Sequence, residues 1–182
     1  MSDRIEVDAT RQWVNNVVVG LNLCPFAKRE FMNDKLRFAV TDSTTIERLL
    51  EDLLDELNLL CCQAEIETTL LIHPQVLVDF FDFNDFLAAA NDLIVDREFE
   101  GIFQLASFHP NYQFAGVDEN DASNYTNRSP YPMIHILREE SLSRTIDAYP
   151  DVDAIPERNV ALMREMGGSK LRELLRSCDK TY

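Results

Sequence analysis

The sequence predicts an α/β fold, a single domain whose mixed, mostly parallel four-stranded sheet is covered by helices. Three observations lead there. Apolar residues recur at helical spacing over 45–61 and 83–99. Short apolar, β-branched runs lie between the helical segments. The two kinds alternate, which favours strand–helix–strand units with right-handed crossovers. The 182 residues suit one domain, and no linker, repeat or low-complexity tract divides 1–182.

The elements follow in order. A helix is expected over 4–19, with Trp13 and Val17 toward the core, although its valine run also suits a strand. Pro25 opens a short helix, Pro25–Phe31, which makes Cys24 its N-cap. Leu36–Val40 reads as a strand. The helix over 45–61 carries Ile46, Leu49, Leu53, Leu57 and Leu60 on one face, with Thr44 and Glu47 as a capping box. Thr68–Ile72 is the second strand. The helix over 83–99 shows Phe83, Phe86, Leu87, Ala90 and Ile94 as its stripe, Asp82 as N-cap and Gly101 as stop. Ile102–Phe108 and Met133–Leu137 are the remaining strands. C-terminal helices begin near Pro156 and break at Gly167-Gly168, where Ser169 caps a second segment. Gly167-Gly168-Ser169-Lys170 lacks the spacing and the preceding strand of a phosphate loop.

Apolar residues make up 46% and charged residues 27%, an ordinary globular mixture without a membrane-length apolar run. The net charge of −15 argues against nucleic acid and anionic membranes as partners. The charge is uneven. Residues 41–100 hold 2 basic and 15 acidic residues, hence −13. Such a segment is either the solvated face of helices or a docking surface for a basic partner. Cys24, Cys61, Cys62 and Cys178 show neither metal-type spacing nor a disulfide framework, and the N-terminus has no apolar signal region. A cytoplasmic protein is expected.

Three strings stand out: Gly20-Leu21-Asn22-Leu23-Cys24-Pro25-Phe26-Ala27, Phe108-His109-Pro110 with Tyr112 and Phe114, and Thr126-Asn127-Arg128-Ser129-Pro130-Tyr131-Pro132 with His135 and Leu137-Arg138-Glu139. Together they resemble the domain-of-unknown-function family 1415. The resemblance spans nearly the whole chain. It implies a bacterial cytosolic single-domain protein and carries no activity. Cys24-Pro25-Phe26-Ala27 is also similar to the active-site string of single-cysteine thioredoxin-fold transferases, but the order of helices and strands around it differs from that fold.

The candidate site follows from strand direction. If strands two and three are parallel, His73 and His109 end them on one sheet edge, where open α/β sheets bind ligands. A fourth strand antiparallel to the third starts at that edge. It brings the loop 109–132, with Tyr112, Asn127, Arg128 and Ser129, and His135 close by. A loop this long is functional or disordered, and Tyr112, Phe114, Tyr125 and Tyr131 are anchors against disorder. Cys24 at a helix N-terminus gains thiolate character.

Two uses of these residues remain open. Cys24, His109 and His135 offer three ligands for zinc or iron. Alternatively, Cys24 and a histidine, His109 or His135, form a nucleophile–base pair. Arg128, with Tyr112, Asn127 and Ser129, then holds a small anion. The expected function is a small-molecule enzyme or binder. The alternative is a non-catalytic interaction protein docking a basic partner on the acidic face of 41–100.

Overall fold

The computed structural model describes residues 3–148 and 151–178. Strands β1 (Leu36–Val40), β2 (Thr68–Ile72), β3 (Phe103–Phe108) and β4 (Met133–Arg138) lie within a residue of expectation and form one sheet in the order β1-β2-β4-β3. β1 and β2 pair in parallel, whereas β4 lies between β2 and β3 and runs against both. The sheet is therefore mixed rather than mostly parallel. The reason lies in the connection over 109–132. A parallel return needs a long crossover, usually a helix. This connection contains only a short 3-10 helix, Ala122–Thr126. Met133 is consequently level with both Ile72 and Phe108.

Residue parity sorts the side chains to two faces. Leu71, Phe103, Ile134 and Ile136 face helices α3 (Ile46–Cys62) and α4 (Phe80–Asp96). Leu49, Leu53, Leu57 and Leu60 of α3 are fully buried there, each worth about 1.5–3 kcal/mol against exposure. The cap of α3 is Thr45, not Thr44, because the Thr45 side chain accepts from the Arg48 N–H. α4 starts three residues before the expected Phe83, because Asp79 rather than Asp82 caps it, accepting from the amides of Phe81 and Asp82. It ends at Asp96, before Gly101.

Leu70, Ile72, Met133 and Phe108 face the other side. Helix α1 (Asp3–Trp13) covers them, with helices α6 (Ile155–Met166) and α7 (Gly168–Cys178). α6 stops where Gly167 turns to φ +80°, and α7 starts directly at Gly168, one residue before Ser169. The helix expected over 4–19 changes character after Trp13. Val14–Val19 form a π-helix, and the amides of Gly20 and Leu23 reach back five residues to Asn15 and Val18. This wide turn requires Gly20, since a Cβ there would lie 2.3 Å from the Asn16 carbonyl oxygen. Helix α2 is Ala27–Met32, so its N-cap is Phe26 and Cys24 lies two residues before that cap. Helix α5 (Glu139–Ala148) continues directly from β4 and was not expected. Its apolar stripe is thin, with Leu142 half-buried and Ile146 exposed.

Candidate active-site cavity

The strand directions do bring His73, His109 and the start of β4 to one sheet edge. Both rings then turn into the α3–α4 side and are fully buried, stacked about Phe83 with centroid distances of 5.4 and 5.3 Å. His73 Nδ1–H donates to the Val76 carbonyl at 2.9 Å, which leaves Nε2 bare and unpartnered. Burial lowers its pKa to about 4, so the ring is neutral. His109 Nδ1 accepts from the Asn111 N–H at 3.0 Å, and its Nε2–H donates to the Leu77 carbonyl at 3.2 Å. Burial lowers this pKa too. Both nitrogens of His109 are thereby committed. The pair clamps the β2–α4 loop, where Leu77 adopts φ +56°.

The loop residues expected to bind an anion hold the loop itself. Arg128 donates from Nε to the Tyr112 carbonyl at 3.1 Å and from Nη2 to the Glu119 carbonyl at 2.8 Å. Its guanidinium lies 4.7 Å from the Tyr125 ring centre, and its own carbonyl accepts from Trp13 Nε1–H at 3.0 Å. Asn127 Nδ2 donates to the Ser107 carbonyl, and Ser129 Oγ donates to the Tyr131 carbonyl. Tyr112 packs on Phe80 and Phe114. Asn124, which the sequence did not single out, is fully buried and bonds the Phe114 amide and the Asp118 carbonyl. The long loop is an ordered cap.

Cys24 and His135 lie elsewhere, on the opposite face of the sheet. They line one cavity of about 620 Å³, bounded by the N-terminal helices, α2, the four strands and α5. Cys24 is half-buried. Its chain segment follows the π-helix and is tied to α6, where Asn159 Nδ2 donates to the Leu23 carbonyl at 2.7 Å and Arg158 to the Asn22 carbonyl at 2.5 Å. His135 bonds the Thr68 hydroxyl through Nε2 at 2.7 Å, and that hydroxyl donates to the Ile136 carbonyl at 2.6 Å. The hydroxyl therefore accepts from Nε2–H, and Nδ1 is the bare nitrogen. Burial pushes this pKa down to about 4 as well, so the ring enters the cavity as a neutral hydrogen-bond acceptor.

The cavity lining holds four cationic side chains, Arg29, Lys35, Arg138 and Arg144, against Glu30 and Glu67. They are not equivalent. Arg138 donates to the Leu60, Gln63 and Ile66 carbonyls and closes the end of α3. Arg29, itself exposed, pairs at 3.2 Å with the mostly covered Glu30, and Arg144 pairs with Glu140 at 3.2 Å at the surface, where such a pair holds weakly. Lys35 makes no ion pair among the described residues. One oxygen each of Glu30 and Glu67 is buried without a hydrogen-bond partner.

The ligand set expected for zinc or iron is not assembled. His109 lies across the sheet from Cys24 and His135, and no three His, Cys, Asp or Glu among the described residues are grouped to hold a metal ion. Of the expected site residues, the structure brings together Cys24 and His135 and separates His109, Tyr112, Asn127, Arg128 and Ser129 from them. Thr68 and Lys35 were missed. Thr68 carried a signal, because it shares parity with Leu70 and so faces the same side as His135.

The three motif strings now have places: around Cys24, at the β3 end, and through the ordered loop into β4. No curated protein and no solved structure matches the chain. A model of the family of proteins of unknown function DUF1415 matches residues 6–173, from α1 into α7, and the chain belongs to that family.

Proposed function

We propose that this protein is a small-molecule enzyme or binder that takes an anionic ligand in the Cys24–His135 cavity. One observation carries it. A thiol, a neutral imidazole and an excess of cations share one cavity in a chain of net charge −15. The field there favours small anions, which the rest of the surface repels. In an enzyme, Cys24 is the nucleophile, the neutral His135 offers Nδ1 as a hydrogen-bond acceptor, and Lys35 holds the anion. The reducing cytoplasm suits four free cysteines, two of them exposed. No helix among the described residues is long and apolar enough to cross a membrane.

The test compares alkylation of Cys24 by anionic iodoacetate and neutral iodoacetamide, read by mass spectrometry. The exposed Cys61 and Cys62 serve as internal standards. Cys24 is expected to favour iodoacetate several-fold relative to those two. An equal or lower preference overturns the proposal.

A second reading has support on the α4 side. Phe81 is 68% exposed and sits beside exposed Asp82 and Asp85. This face would dock a basic, partly apolar partner. Asp52 and Glu56, from the same acidic stretch, are already engaged by Arg48 and Arg37 and add little. Salt-sensitive capture of a Lys/Leu amphipathic peptide, lost in Phe81→Ser with Asp85→Asn, supports docking. Capture unaffected by those changes counts against it.

A further inference from the structure

Resting on the cavity as the ligand site, we infer that its ligand is an amphiphilic monoanion: an apolar body carrying one carboxylate. The body lies against Trp13, Val18, Phe26 and Leu142, and the head pairs with Lys35.

The lining separates the alternatives by chemistry. Beside its cations, the cavity presents phenyl and branched aliphatic groups from the π-helix, the Pro25–Ala27 turn and α5, backed by the nearly buried Trp13 of α1. A small hydrated anion such as phosphate leaves that apolar wall wet and unused. A neutral apolar molecule uses the wall but strands the Lys35 ammonium in a half-enclosed space. A ligand with an ammonium head meets cations in excess. The two unpartnered carboxylate oxygens, on Glu30 and Glu67, are sealed from solvent and not offered to it. A body with one anionic head satisfies both parts of the wall. The head count follows from the charges: Glu30 offsets Arg29, Glu140 offsets Arg144 and Glu67 offsets one of Arg138 and Lys35, which leaves one positive charge; Arg138 is held on backbone carbonyls, so Lys35, without an ion pair among the described residues, is the side chain free to hold the head. The volume of about 620 Å³ lies within the range of small-ligand pockets, roughly 300–1,000 Å³.

The protein carries its own reporter. Trp13 is its single tryptophan, and it lines the cavity. The experiment titrates the full chain with octanoate, octan-1-ol, octylamine and acetate. It follows Trp13 emission and, in parallel, protection of Cys24 from iodoacetamide. Octanoate is expected to shift the emission saturably and protect Cys24, with octanol weaker and acetate and octylamine without effect. Lys35→Gln is expected to weaken octanoate about tenfold and leave octanol unchanged, and Leu142→Ser to weaken both. If octylamine or octanol protects Cys24 better than octanoate, the cavity stands as a ligand site and the anionic head is wrong. If acetate protects as well as octanoate, the apolar body is wrong. If none of the four shifts the emission or protects Cys24, this inference falls. The cavity reading itself is then judged by the iodoacetate preference at Cys24.

Discussion

The Nε2 atom of His135 lies 2.7 Å from the hydroxyl of Thr68 on the neighbouring strand. That hydroxyl spends its only proton on the Ile136 carbonyl, so it fixes the imidazole with its proton on Nε2. Thr68→Val keeps the shape and removes the acceptor. The expected loss is about 1–3 kcal/mol in urea unfolding, because a buried N–H is left unmet. Ring nitrogen shifts by NMR are expected to show the Nε2–H form in the wild type and a mixture in the variant. A variant with unchanged stability and a single tautomer would show that Thr68 does not set the ring.

Two histidines of lowered pKa, the buried His73 and the half-buried His135, make stability depend on acid. His73 and His135 each have a folded-state pKa lowered from 6.5 to about 4 by burial. Below about pH 6.5 the unfolded chain takes up protons that the folded one refuses. Stability from these rings is thus full above that pH, falls as pH drops toward about 4, and then levels off. The full loss is about 3 kcal/mol per ring. Urea midpoints across this window should fall, and His135→Gln should remove part of the slope. Identical slopes in the two proteins would refute the assignment to His135.

Arg128 holds the loop over 109–132, and its removal should act there alone. Arg128→Ala loses two charge-assisted bonds to the Tyr112 and Glu119 carbonyls, a cost of about 2 kcal/mol. Amides between Tyr112 and Asn127 are expected to exchange at least ~10 times faster, since local opening costs less. Cys24 alkylation should stay at the wild-type rate. A change at Cys24 without faster exchange in the loop would instead tie Arg128 to the cavity.

Asn159 positions Cys24 through the Leu23 carbonyl, across 136 residues of sequence. Asn159→Leu leaves that carbonyl unpaired and loosens the turn, at a cost of about 1–2 kcal/mol. Because Cys24 is half-buried, loosening should speed its reaction with iodoacetamide several-fold while Cys61 and Cys62 keep their rates. A parallel increase at all three would mean general destabilisation rather than positioning.

Much of the fold was legible because local period decides it. Thr68–Ile72 and Leu36–Val40 were found whole, since a buried strand is a short apolar run with flanking breaks. The long leucine seam of α3 was equally plain. Strand direction was harder, because β4 joins through a loop whose path no local pattern encodes. The site was half legible for a similar reason. His135 sits within a strand, two residues from Met133 and two from Leu137, so parity alone places it on the cavity side. His109 lies just past the end of β3, where parity no longer applies, and its ring turned inward to bond Leu77. Cys24 depends on a π-helix whose extra width leaves no periodic trace in the valine run.

β4 is the last strand in the chain yet occupies an interior place in the sheet. As the chain leaves the ribosome, β1 and β2 can pair early, but β3 has no sheet neighbour until Met133–Arg138 emerge and slide between β2 and β3. That same strand delivers His135. Closing the sheet and setting His135 in the cavity wall are thus a single event in the life of the chain, and α5, which continues directly from β4, then finishes that wall. A nascent or truncated form lacking β4 exposes two strand edges and lacks the cavity wall that carries His135.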